Sequence, residues 1–165
     1  MACTDIIFRP IGTIHSAHKE LDKILIQPVF ANGIKGKVVL KPEFIDGILN
    51  LQAFSHIYLF YYFHMSQKTR LHVKPYLSDE EQGIFATRAP HRPNKLGMSL
   101  VRLASIEGDT LYIEDMDIVD GAPLIDIKPY IKRFDLRRSV RSGWHDEISE
   151  DTVSARGRRN YDRGP

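Results

Sequence analysis

The run "IYLFYYF", residues 57–63, limits what this chain can fold into more than any other stretch. Seven apolar and aromatic residues in a row, bounded by His56 and His64, fall far short of the roughly 20 that a membrane-spanning helix needs. Aromatic and β-branched side chains fit a pleated surface. An apolar run on both alternating faces predicts a strand buried on both sides at the centre of a sheet. Other short β-rich runs surround it: residues 5–16 ("DIIFRPIGTIHS"), 33–40 ("GIKGKVVL"), 99–119 ("SLVRLASIEGDTLYIEDMDIV") and 122–130 ("APLIDIKPY"). The third reads as a hairpin about the turn signal "EGD", and the last is a strand broken by Pro129. Helical spacing is brief. In residues 41–54, Pro42 suits a first turn, and Phe44, Ile45, Ile48 and Leu49 follow at helical intervals, which predicts a short helix or turn.

Short strands punctuated by Gly and Pro, with no alternation of strand and long helix, predict a mainly β fold: a small β-barrel with a few short helices. A doubly wound, Rossmann-type sheet is excluded by the same pattern, and no G-x-G-x-x-G is present. The 165 residues suit one domain. The expected division is a catalytic barrel over residues 1–144 and a flexible, basic C-terminal tail over residues 145–165, which is short of core-forming side chains. A single cysteine, Cys3, can make no intrachain disulfide, and the N-terminus has no secretory pattern. The expected location is the cytoplasm, with no membrane partner.

Residues 83–94 read "GIFATRAPHRPN". Two prolines stiffen this loop and remove backbone donors. Arg88 and Arg92 offer planar forks suited to carboxylate or phosphate. A stiff cationic loop is suited to holding an anion in one place. On strand 56–64, even spacing puts His56 and His64 on one face with Tyr58, Phe60 and Tyr62, an aromatic surface that can stack a purine. The competing reading is a packed core with satisfied histidines. In residues 114–130, Asp115, Asp117, Asp120 and Asp126 crowd together. Asp117, Asp120 and Asp126 can accept from ribose hydroxyls, bind a cation or act as a base, and Asp120 at "DG" also suits a plain turn cap.

Metal-ligand spacings such as H-E-x-x-H and C-x-x-C are missing, so no metal is expected. There is no P-loop and no G-x-S-x-G elbow, and Ser99 falls in a strand. Net charge is only +2, but residues 131–141 hold five basic residues against one Asp, and more arginines follow in the tail. Either this is a solvated end or it contacts nucleic-acid phosphates.

"FSHIYLFYYFH", "GIFATRAPHRPNKLGMSLVRL" and "DIVDGAPLIDIKPY" resemble, in order, the signature blocks of the TrmO family, in its short archaeal-type form. That family consists of S-adenosylmethionine-dependent tRNA methyltransferases acting on N6 of threonylcarbamoyladenosine 3′ to the anticodon, at position 37. The resemblance runs from "RPIGTIHS" to "IKPYIKRFD". It implies a β-barrel used as a homodimer and a cofactor held by Gln27, Pro28, Phe63, His64, Arg88, Met98, Asp115, Met116 and Asp117. The departures are Ala122 where the family often has Thr, and an end near residue 165 where many bacterial members continue into a second domain. His64, Asp117 and Asp126 are the candidate bases. Arg92, Asn94, Lys128, Tyr130, Arg133, Arg137 and Arg138 are the candidate contacts to the tRNA anticodon loop. The competing functions are a cofactor- or RNA-binding module without chemistry, and a methyltransferase acting on another acceptor.

Overall fold

The structure is a computed structural model that describes residues 6–19 and 31–156. Its strands are β1 (Gly12–Ser16), β2 (Gly36–Leu40), β3 (His56–Tyr62), β4 (His72–Val73), β5 (Gln82–Gly83), β6 (Leu96–Glu107), β7 (Thr110–Glu114) and β8 (Ala122–Pro129). Six of them close into an antiparallel barrel in the order β1-β2-β7-β6-β3-β8, and β4 pairs with β5 outside it. Closure leaves no sheet edge in the barrel. Helical turns are short. Residues 41–54 form 3₁₀ segments at Pro42–Ile48 and Leu51–Ala53 rather than an α-helix. Gly47 inside the first segment, and Asn50 in the left-handed region just after it (φ 65°), keep the pattern from propagating. After β8 come α1 (Lys132–Asp135), a 3₁₀ turn at Gly143–Glu147 and α2 (Glu150–Arg156).

Period-2 alternation builds the core. Ile14, Val38, Ile57, Leu59, Val101, Leu111, Ile113 and Leu124 all point inward and are almost fully buried. Burying a side chain of this size is worth about 1.5–3 kcal/mol. Met116 and Ile118, in the loop after β7, close one end of the barrel and belong to the same core cluster. The β6–β7 hairpin turns at Gly108, which takes a positive φ of 60° and follows the expected "EGD" signal.

The expectation for β3 needs correcting. Ile57, Leu59 and Tyr61 are buried, but His56, Tyr58 and Phe60 are only half-buried and Tyr62 is exposed. In a closed barrel one face of each strand fills the interior and the other looks out. The aromatic outward face is therefore a surface rather than a second core. Register irregularities sit between Phe60 and Tyr61 against β8, and between Leu103 and Ser105 on β6. The first lets Asp126 pair with Phe60 and Leu124 with Tyr61, so that Ile125 is the extra residue. Among the described residues no helix is long and apolar enough to cross a membrane.

Candidate functional site

One end of the barrel collects most of the chemistry. The ends of β1, β3 and β7 and the starts of β2, β6 and β8 meet there, because every neighbouring pair is antiparallel. β3 stops at Tyr62, so Phe63 and His64, which ideal alternation would put on opposite faces of a continued strand, lie beyond the strand geometry. The Phe63 ring packs edge-on against Tyr61, with centroids 5.4 Å apart. His64 is exposed, and its Nε2 lies 3.8 Å from where a Cβ on Gly121 would stand. Beneath this rim the Ser99 hydroxyl donates to Asp117 Oδ1 at 2.7 Å. Tyr61 Oη lies 3.2 Å from Ser99 Oγ. A serine has one proton to give, and here it goes to the carboxylate, so Tyr61 is the donor to Ser99. Tyr61, Ser99 and Asp117 are all buried, which makes this a hydrogen-bonded polar chain inside the barrel mouth.

The loop carrying Asp115, Met116 and Asp117 is tied down from several sides. Asp115 has a left-handed backbone (φ 64°), and its Oδ1 accepts from Gly33 N at 2.8 Å. Met116 is fully buried, so it serves the core. His18 Nε2 lies 2.9 Å from Met116 O, and Ser16 Oγ donates to Ile118 O at 2.6 Å. Asp120 does more than cap its own turn. Its carboxylate accepts from Ser16 N at 3.0 Å, pairs with Lys19 and lies 3.5 Å from His15 Nδ1. The Lys19 bond, with the Ser16 amide and the charges of Lys19 and His15, holds the Asp120 carboxyl below its ordinary value against a modest desolvation penalty. A depressed folded value means a contribution that is complete above the ordinary carboxylate range and lost as pH falls through the folded value. Asp120→Asn is therefore expected to destabilise the fold by roughly 1 kcal/mol near neutrality, given partial exposure, and by less in acid. Urea unfolding at the two pH values checks this; an equal gap at both would contradict it.

A second group lies on the outer face of β3, β6 and β8. Phe60 stands between Met98 and Asp126, and Tyr58 between Leu100 and Lys128. Tyr130 packs 6.0 Å from Tyr58 and 6.5 Å from His56, ring centre to ring centre. Asp126 pairs with Lys128 at 2.9 Å and accepts from the Ile127 amide. Burial, with the Asp135 carboxylate and Tyr130, raises the Tyr58 phenol above its ordinary value, while the Arg88 guanidinium pulls it down. Arg88 thus lies within electrostatic reach of this aromatic face.

The loop that carries Arg88 is tied by internal hydrogen bonds. Arg92 Nη1 donates to Thr87 O at 2.8 Å and Ile84 O at 3.1 Å, and its guanidinium lies over the Phe85 ring. Thr87 Oγ1 donates to Ile84 O, and Ser66 Oγ donates to Pro90 O. Ser66 is the link between the groups: the segment that begins with Phe63 and His64 also braces the Arg88 loop. Arg92 works here as an internal clamp. Asn94 is exposed in the turn before β6, and Arg133, Arg137 and Arg138 are exposed after β8. Arg137 Nη1 donates to the Phe134 and Leu136 carbonyls. Gln27 and Pro28 lie outside the described residues.

Among the described residues no group of three or more His, Cys, Asp and Glu side chains could hold a metal. A groove of about 270 Å³ between Lys35, Ser105, Tyr112 and Glu114 borders the first group, since Gly36, which also lines it, packs against Met116. Sequence reasoning missed Tyr61, which reads as one more core aromatic, and treated Ser99 only as a poor nucleophile. Their link to Asp117 depends on a contact between distant segments that no local pattern signals.

Residues 13–136 match the family model described as the tRNA-methyltransferase O N-terminal domain. A "probable S-adenosyl-L-methionine-binding protein" of Pyrococcus abyssi is 50% identical over 139 residues, which is 84% of this chain and 76% of that protein. The tRNA (adenine(37)-N6)-methyltransferase of Homo sapiens is 30% identical over 82% of this chain but 32% of its own length. The crystal structure of TrmO from Pseudomonas aeruginosa superposes with a TM-score of 0.74 at 34% identity, covering 88% of this chain and 65% of that one. The chain thus spans about three quarters of the first relative, under two thirds of the crystallised one and about a third of the human one.

Proposed function

The chain belongs to the tRNA-methyltransferase O family, and from that premise we propose that it transfers a methyl group from S-adenosylmethionine to N6 of threonylcarbamoyladenosine at position 37 of tRNA. The observation that carries the reading is the convergence of the motif segments. Ser66 braces the Arg88 loop, His64 sits beside the turn that follows Asp117, and Asp117 is bonded to Ser99 at the start of β6.

The donor set fits such a cofactor. Arg88 offers a fork to an amino-acid carboxylate. Tyr58 and Phe60 offer rings to a purine. Asp115, in a fixed turn, offers a carboxylate to a ribose diol. When bound, S-adenosylmethionine supplies an electrophilic methyl group. The chain's own residues must align the acceptor nitrogen and remove its proton, which a neighbouring carbonyl makes easier to lose. Of the three candidate bases, Asp117 is buried and bonded to Ser99, and Asp126 pairs with Lys128. His64 is exposed at the mouth, and we assign the proton to it. Arg133, Arg137 and Arg138 would contact tRNA phosphates. Labelled cofactor incubated with tRNA bearing or lacking the threonylcarbamoyl group tests the acceptor; equal transfer to both would sink the finer assignment.

A homodimer and a cytoplasmic location complete the proposal. Tyr62, Leu96 and Met98 stay 39–41% exposed and lie together on the outer face of β3 and β6, a patch that a second copy would cover. Sedimentation should give a dimer at assay concentration, and a fully active monomer would contradict this.

A further inference from the structure

Past residue 136, where the family match ends, the chain folds back onto the loop that carries Arg88. The 3₁₀ turn Gly143–Glu147 is anchored by Trp144 Nε1, which donates to Ala86 O at 2.9 Å. Farther along, Arg156 donates to Asp79 Oδ2 at 3.2 and 3.3 Å. Ser142 N donates to Asp146 Oδ2 at 2.8 Å and sets the turn itself. The His145 ring lies on the indole with centroids 3.8 Å apart and planes 31° from parallel. Because the indole N–H is fixed to Ala86, the plane of this stack is set by the Arg88 loop. His145 keeps an exposed side.

We propose that Trp144 and His145 form a stacking platform beside Arg88 that receives one unpaired base of the RNA substrate. The proposal rests on the reading of tRNA as the acceptor. A base laid on the outer side of His145 extends the existing stack to three layers, and the exposed Arg137, Arg138 and Arg141 just upstream offer cations to the flanking phosphates. Partial desolvation and the Arg88 guanidinium hold the His145 imidazole below its ordinary value, with Asp146 opposing, so the ring is neutral near pH 7 and stacks as an uncharged aromatic.

Trp144 is the one tryptophan in the sequence, so its emission reports on this place alone. Titration of the full chain with tRNA is expected to quench it, whereas S-adenosylmethionine alone leaves it unchanged. His145→Ala is expected to raise KM for tRNA roughly 5- to 100-fold, with kcat within about twofold and cofactor affinity unaltered, and His145→Phe to restore most of the loss. Quenching by the cofactor alone overturns the proposal, as does an unchanged KM in His145→Ala. Retention of tRNA on a filter with no change in emission overturns the platform while leaving tRNA as the substrate. No retention at all overturns both.

Discussion

His64→Gln is expected to lower kcat for methyl transfer to tRNA by about 10²–10⁴, the range for losing a positioned proton acceptor. The fold should barely notice. His64 lies beyond the last residue of β3, exposed, with Gly121 rather than the core as its neighbour. Glutamine keeps a polar side chain of similar reach but cannot take up a proton. Single-turnover rates with saturating cofactor and tRNA separate the chemical step from binding. A rate within about threefold of wild type, in a variant with an unchanged thermal midpoint, would remove His64 from the chemistry. Asp117 would then be the next candidate to test.

Arg88→Ala should weaken S-adenosylmethionine binding by about 1.5–3 kcal/mol, the contribution of a hydrogen bond to a charged partner. That is roughly 10- to 150-fold in Kd. The side chain is exposed, and Arg92, Thr87 and Ser66 brace the loop around it. The loss should therefore appear in affinity and not in stability. Arg88→Lys should recover only part of it, because an ammonium cannot form a two-pronged contact with a carboxylate. Calorimetry on the folded variant decides; wild-type affinity would take Arg88 out of the cofactor site and leave its charge to the outer-face aromatics and His145.

Much of the barrel was legible because its signals are local. Leu111 and Ile113 alternate with Thr110, Tyr112 and Glu114, and "EGD" marks a two-strand turn on its own. The closing pairs of β1 and β3 with β8 could not be read this way. They join residues such as Gly12 and Leu124, far apart in the chain, and nothing near either names its partner. The same limit explains β3. Its uninterrupted apolar run says that both faces avoid being strongly polar, but not that the outer one, with Tyr58 and Phe60, stays half-open.

The site divides along the same line. His64, Arg88 and Asp117 stand out because charged or titratable residues sit beside apolar runs. Arg92 also stands out, yet its position reveals nothing about the clamp it makes on Ile84 and Thr87. Ser99 and Tyr61 acquire meaning only when β3, β6 and the loop after β7 are brought together. Trp144 is the last residue before what reads as a tail, and its indole is claimed by a carbonyl 58 residues away.

The central claim is methyl transfer to one nucleoside in tRNA. The most direct measurement is nucleoside mass spectrometry of tRNA carrying threonylcarbamoyladenosine, after incubation with the protein and methyl-labelled S-adenosylmethionine. The account predicts one labelled product, threonylcarbamoyladenosine heavier by a single methyl group on N6, absent in the His64→Gln and Arg88→Ala samples at matched early times. Label on another nucleoside, or cofactor binding with no labelled nucleoside at all, would contradict it.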